Sequence, residues 1–344
     1  MWHLEKPTQQ TLDAYVKKLL PKLRERIYTS ALAQGEKDVL LPPTTGGTVS
    51  ESILTQLLSL EPEPLFQLSE RLMRRLIPDY NFDELSDLSK ARKTLHPSQE
   101  QVELKSKYAK VKELEMIFGY DQVLSQNKSR SYRIAAAANH NTCVYCNRQY
   151  TFNIVKDKGK NDDERIARAE LDHWFPKSLF PLMSLSYYNL IPCCKVCNSS
   201  VKSDTIWQLE THVHPYITTA VEPTFKFRYK AGLNSTWDID FENLSGKEEQ
   251  TVKDLCIKEA YQAHSSLEVA DLIELASKNN GTYMKQLYDT ILRLYADGTD
   301  NAKAYRLLLG TELMPQAYKN RPMSKLKRDI VEQIERVKGI RIIE

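Results

Sequence analysis

The stretch that decides the fold is AELDHWFPKSLFPLMSLSYYNLIPCCKVCNSSVKSD, residues 169–204. Leu171, just before Asp172-His173, suits a buried strand end, and Pro176 then breaks the strand. Asn189 opens Asn-Leu-Ile-Pro, a second short apolar strand, and Cys197-Asn-Ser-Ser-Val-Lys reads as the first turns of a helix. The order is strand, loop, strand, helix. Upstream, Cys143-Val-Tyr-Cys146 forms a Cys-x-x-Cys pair to match Cys194-Lys-Val-Cys197. Each such turn places two thiolates on one side, and two turns complete a tetrahedral four-thiolate site, so structural Zn²⁺ is expected. The gap between the pairs is longer than in a simple zinc ribbon, so other structure is folded between them. Cys193 adjoins Cys194 and either could pair with Cys197; the Cys-x-x-Cys spacing favours Cys194, with Cys193 an apolar filler or an occasional substitute. His140, near the first pair, is read as a surface or cap residue.

The chain has 344 residues, enough to bury a real core and to hold two or three units. Hydrophobic residues are 41% and charged residues 27%, ordinary for a soluble globular protein. Mean hydropathy is -0.50, with no apolar run long enough to span a bilayer. The start, MWHLEKPTQQTLDAY, lacks a signal pattern, so the expected location is the cytoplasm. A net charge of only +3 excludes a general polyanion binder and confines nucleic-acid contact to a local basic surface. In a reducing compartment, six cysteines of which four form two short pairs read as metal thiolates rather than disulfides. Cys256, alone in a helical stretch, is expected to be buried.

The fold class expected is α+β, mainly helical. Residues 1–130 read as an N-terminal helical region: Leu12, Tyr15, Val16, Leu19 and Leu20 recur at helical spacing, as do Ile53, Leu54, Leu57 and Leu58 after the cap residue Ser50. LPPTTGGTVS (41–50) is a loop, and one helix is expected over 98–118. Residues 131–205 carry the motifs, beginning with the Ala-rich helix 131–139 and including the charged loop KDKGKNDDER (156–165). Residues 206–344 read as a β-hairpin, 224–230 and 236–242 around Gly232 and Asn234, followed by helices over 247–263, 266–278, 282–296, 300–309 and 323–338.

The residues between the knuckles resemble the HNH endonuclease family, also called ββα-metal or His-Me finger nucleases. Cys-x-x-Cys, Asp-His-x-x-Pro-Lys-Ser, Asn-Leu and Cys-x-x-Cys-Asn-x-x-x-Lys occur in the family's order over roughly 140–205. The resemblance implies a central zinc-stapled ββα-metal unit that hydrolyses phosphodiester bonds, in DNA rather than RNA. It implies His173 as general base, suited by an imidazole pKa near ~6.5. Asp172 and Asn198 would hold catalytic Mg²⁺ or Mn²⁺, and Asn189 would orient His173 or pin the loop around it. Adjacent residues of a regular strand face opposite ways, so a kink or strand end must bring Asp172 and His173 to one site. Lys177 and Lys202, and more weakly Arg148, are candidate phosphate contacts.

Trp174, Phe175, Phe180, Tyr187 and Tyr188 could stack on bases, but a small zinc-stapled unit needs aromatic bulk, and core packing is the expectation. His212 and His214 show no acidic or Cys partner in the sequence, and a structural role is expected. HNH units embedded in helical proteins resemble bacterial antiphage-defence nucleases of the Septu type, which work beside an ATPase partner. The chain has no phosphate-loop motif, so such an ATPase would be another chain. Two other classes compete: a four-cysteine zinc module that binds nucleic acid or protein without cutting, and a structural subunit whose helices organise a complex.

Overall fold

The computed structural model describes residues 2–125, 128–156, 164–233, 236–278, 281–294 and 301–339. Among these described residues the fold is mainly helical, with three separate two-stranded sheets. In α1 (Gln9–Thr29) the Thr8 hydroxyl accepts the Thr11 amide at the first turn, and Leu12, Leu19, Leu23 and Ile27 are buried along one side. α2 (Gln34–Leu40) and α3 (Ser52–Ser59) are separated by the irregular segment 41–50, which a single Pro43–Val49 bridge closes. α4 (Pro62–Leu76) opens on a proline, whose missing N–H has no helical partner at that position anyway. α5 (Glu84–Lys93), α6 (Gln99–Lys107) and α7 (Ala109–Ile117) follow. The one helix expected over 98–118 is therefore two, broken at Tyr108. The Tyr108 phenol oxygen is held 2.9 Å from the Asn81 carbonyl and 2.8 Å from the Glu84 carboxylate, and these anchors draw its backbone out of helical geometry.

α8 (Lys128–Ala137) leads into the first Cys pair. β1 (Ile154–Lys156) pairs with β2 (Glu164–Ala167), so the charged loop has strands at its ends; its middle, 157–163, lies outside the described residues. β3 (Glu170–His173) runs antiparallel to β4 (Leu190–Cys193), with Glu170 opposite Cys193 and His173 opposite Leu190. A wide helical turn, Val196–Lys202, follows in place of regular α-helix, and it closes with the Ser203 amide on the Asn198 carbonyl, five residues back.

β5 (Lys226–Ala231) and β6 (Trp237–Glu242) form the C-terminal hairpin, Lys226 opposite Glu242 and Ala231 opposite Trp237; Asn234 in its turn is outside the described residues. After it come α9 (Gly246–Asp254), α10 (Ile257–Gln262), α11 (Ala270–Lys278), α12 (Gly281–Leu294), α13 (Asn301–Leu309) and α14 (Ser324–Lys338). Residues 295, 296 and 300, at the ends of two expected helices, are not described. Side chains cover both hairpin edges. On β5, Gln333 accepts the Tyr229 amide and donates to its carbonyl, both at 2.9 Å. On β6, Gln262 accepts the Ile239 amide and donates to the Trp237 carbonyl. The two glutamines stand in for neighbouring strands, which keeps a lone hairpin from exposing unpaired backbone.

Cys256 departs from expectation. The helix expected over 247–263 is split there, because Cys256 takes left-handed geometry (φ 47°) between α9 and α10, and this turns its side chain into solvent.

One buried core runs from Trp2 to Ile334 and draws on all three stretches, 1–130, 131–205 and 206–344. The first knuckle is where they meet. Trp2 donates to the Val144 and Tyr145 carbonyls, and the Tyr261 hydroxyl donates to the Cys146 carbonyl. Asn147, in left-handed geometry, accepts the Met323 amide on its carbonyl and donates from its side chain to the Tyr318 carbonyl. No helix among the described residues is long and apolar enough to cross a membrane.

Candidate metal centre and adjoining cleft

Cys143, Cys146, Cys194 and Cys197 are buried, and their Sγ atoms all lie within 4.8 Å of one another. The Cys146–Cys194 separation is 3.9 Å, far beyond a disulfide bond. Zinc–sulfur bonds of 2.3 Å in a tetrahedron put sulfurs about 3.8 Å apart, so the four thiols have the dimensions and chemistry of a structural zinc site. Cys193 is also buried, on β4, but is not part of the cluster; burial pushes its thiol pKa up, so it stays protonated.

Beside this centre lies a cleft of about 540 Å³ whose walls include Asp172, His173, Lys177, Asn198, Glu170 and Arg168. His173 ends β3, which frees it from strict strand alternation, and so both members of the Asp-His pair line one cleft. Its Nε2 lies 2.9 Å from the Ser184 carbonyl. A carbonyl can only accept, so Nε2 carries the proton and Nδ1 is left as the basic nitrogen. Tyr120 meets the ring edge-on at 4.4 Å. Burial, with Lys177 nearby, pushes the His173 pKa down to about 3, so the imidazole is neutral at ordinary pH.

Asp172 is buried and takes the Tyr145 hydroxyl at 2.6 Å and the Lys202 ammonium at 3.3 Å. Burial raises its pKa despite these partners. Lys202 is fully buried, donates to the His173 carbonyl at 2.7 Å and lies under the Trp207 ring. It therefore fastens the end of β3 and is not exposed to meet a phosphate from solvent. Removing it strands a buried carboxylate. We expect Lys202→Met to cost about 3–5 kcal/mol in urea unfolding, and the double variant with Asp172→Asn to recover part of that.

The other residues have distinct places. Asn189 is buried away from the cleft wall, accepts the Phe175 amide at 2.7 Å, and donates to the Phe175 and Met183 carbonyls at 3.0 Å, which ties both ends of the intervening loop. The Asn198 amide nitrogen donates to Glu170 at 2.7 Å, which leaves its oxygen as the remaining acceptor. Lys177 pairs with Asp121 at 2.8 Å at the cleft edge. Arg148 is not a cleft residue; it binds the Ala260 carbonyl and His264, tying the first knuckle to α10. Glu170, Arg168 and Tyr145 were not singled out from sequence. Glu170 could have been, since it stands two residues before Asp172 on the same face of a strand. Nothing in Cys-Val-Tyr-Cys marks its tyrosine as a partner for Asp172.

For a catalytic Mg²⁺ or Mn²⁺ the cleft offers oxygen donors of the right type, the Asp172 carboxylate and Asn198 amide, with Glu170 beside them. A carboxylate has about four acceptor positions, so Tyr145 and Lys202 do not exhaust Asp172. Among the described residues no second group of three His, Cys, Asp or Glu ligand atoms converges as the cysteines do.

Trp174, Phe175, Phe180, Tyr187 and Tyr188 are all buried. His212 does have an acidic partner, which α9 supplies: its Nε2 lies 2.9 Å from Asp254, and its ring stacks on Trp207. His214 packs on Trp174, and its buried Nε2 has no hydrogen-bond partner among the described residues. Burial lowers the His214 pKa from 6.5 to about 3. The unfolded chain then binds the extra proton between those values, so this contribution to stability is full above 6.5 and is lost as pH falls toward 3. Between pH 7 and 5 the protein should lose about 2 kcal/mol through this residue. His214→Phe should flatten that part of the pH–stability curve, measured by urea unfolding.

Compared with known proteins, the chain matches no family model, no curated protein and no solved structure.

Proposed function

We propose that the cleft is the active site of a metal-dependent HNH-type endonuclease that hydrolyses phosphodiester bonds, in DNA. The observation that carries this reading is the tautomer of His173. Its Nε2–H is committed to the Ser184 carbonyl, and the free Nδ1 belongs to a residue that shares a cleft with a carboxylate and an amide oxygen. His173 would take a proton from water. At a pKa of about 3 it is always free to do so but is a weak base; phosphate oxygens entering the cleft bring negative charge that raises it. Asp172 and Asn198 would hold Mg²⁺ or Mn²⁺, whose charge stabilises the leaving oxygen. Lys177 and Arg168 line the cleft wall, and in this reading they would meet phosphate oxygens. Asn189 and Lys202 support these groups from behind. Antiphage defence alongside a partner ATPase is part of the same proposal and rests on the likeness to Septu-type nucleases.

A rival reading is a zinc module that binds without cutting. The ion pair of Lys202 with Asp172 favours it, since a cation already sits on the carboxylate. Plasmid cleavage by zinc-loaded protein decides between them. The nuclease reading expects cutting with added Mg²⁺ or Mn²⁺ and none without. Because EDTA also competes for zinc, the control restores activity with Mg²⁺ or Mn²⁺ and not with zinc alone. Metal-independent cutting would overturn the proposal.

A further inference from the structure

A pocket of about 320 Å³ opens between α1 and α8, and it shares no residue with the cleft. Tyr15 and Tyr187 meet edge-to-face at 5.3 Å in its wall, with the apolar Ile134 beside them. Lys18, Arg130 and Arg133 also line it, and no carboxylate does. Lys18 and Arg133 are exposed. Gln10 adds a side chain that can both donate and accept. Two exposed cations, Lys18 and Arg133, beside aromatic walls with no carboxylate in the lining suit a ligand with a flat polar ring and an anionic end, and the volume falls in the range of small-molecule sites.

The pocket wall also touches the loop that orients His173. The Tyr15 hydroxyl donates to the Leu185 carbonyl at 2.7 Å, and the adjacent Ser184 carbonyl accepts from His173. On the other side, Arg130 donates to the Val123 carbonyl, in the turn that carries Asp121, the partner of Lys177. Both walls are thus one or two residues removed from groups of the cleft.

We propose that this pocket binds a nucleoside phosphate, base against the tyrosines and phosphate at Lys18 and Arg133, and that the ligand adjusts His173 through Tyr15 and the 184–185 backbone. The coupling rests on the reading of His173 as the base; the binding does not. The ligand is either a free nucleotide or the phosphorylated end of a nucleic acid, which present the same chemistry.

The test is calorimetric titration of the full zinc-loaded chain, without Mg²⁺ or Mn²⁺, with AMP, ATP, orthophosphate and a 5′-phosphorylated trinucleotide. A nucleotide or the trinucleotide should bind at least about tenfold more tightly than orthophosphate, since orthophosphate forgoes the aromatic contacts. Lys18→Glu with Arg133→Glu should weaken binding about tenfold or more, and Ala14→Trp, which fills the pocket, should abolish it, both with zinc content and Tm unchanged. Binding of the trinucleotide alone, lost in Ala14→Trp, identifies a nucleic-acid end as the source. No binding by AMP, ATP or trinucleotide, or equal binding by the variants, overturns the site. For the coupling, AMP or the trinucleotide should shift the His173 ring-nitrogen NMR signals in wild type and not in Tyr15→Phe, which keeps the ring but drops the bond to Leu185. An unshifted wild-type signal in the bound protein overturns the coupling. If the ligand binds but no form of the protein cuts, the pocket stands and the nuclease reading fails.

Discussion

On the proposed nuclease reading, changing His173 to alanine is expected to lower the rate of plasmid cleavage by about 10²- to 10⁴-fold, the usual loss on removing a general base. The alanine variant also leaves the buried Ser184 carbonyl without its donor, which costs about 1–3 kcal/mol, so a fall in activity could be confused with a fall in stability. His173→Gln separates the two. Its side-chain amide nitrogen reaches the Nε2 position and can still donate to Ser184, but it has no basic nitrogen. Both variants should keep the zinc, and the glutamine variant should unfold close to wild type while remaining as inactive as alanine. Single-turnover cleavage with Mn²⁺, read beside thermal unfolding, is the measurement. An active His173→Gln protein would show that the base lies elsewhere.

Replacing Cys197 with serine is expected to abolish zinc binding and, with it, the cooperative fold of much of the chain. A structural zinc site contributes on the order of 10 kcal/mol of apparent binding free energy, comparable to the entire stability of an ordinary domain. The damage should not stay local. The backbone of the first knuckle accepts hydrogen bonds from Trp2, Tyr261 and Met323, so its collapse releases anchors from both ends of the chain. Elemental analysis should give one zinc per wild-type chain and almost none in the variant. Hydrogen exchange should lose protection around residues 2–4 and 318–324 as well as at 143–147. Cys193→Ser is the matched control: it should keep the zinc and lose only about 1–3 kcal/mol for a buried hydroxyl. Loss of zinc in Cys193→Ser would mean that the ligand pairing is misassigned.

The short-range features were legible along the chain. The choice of Cys194 over Cys193, the two apolar segments around Asp172-His173 and Asn-Leu-Ile-Pro, and the 224–242 hairpin follow from spacing and from alternation with period two, and each appears in the structure. Burial of the five aromatic residues between the knuckles was expected from core size. Where a single residue's partner lies far off in sequence, the reading failed. Tyr108 breaks a helix because Asn81 and Glu84 hold its phenol, and His212 has an acidic partner because α9 brings Asp254 to it.

The lysines show the division most clearly. In sequence, Lys177 and Lys202 both follow the Asp-His pair and look alike. Lys177 lies at the cleft edge with Asp121, while Lys202 is sealed beneath Trp207 against Asp172. Residue type and spacing settle which thiols can share an ion and which segments can pair, because those depend on local geometry repeated every two or three residues. They do not settle whether a charge faces water, which tautomer His173 adopts, or what holds Asp172. Those depend on Tyr145, Ser184 and Trp207, which only long-range packing places beside the Asp-His pair.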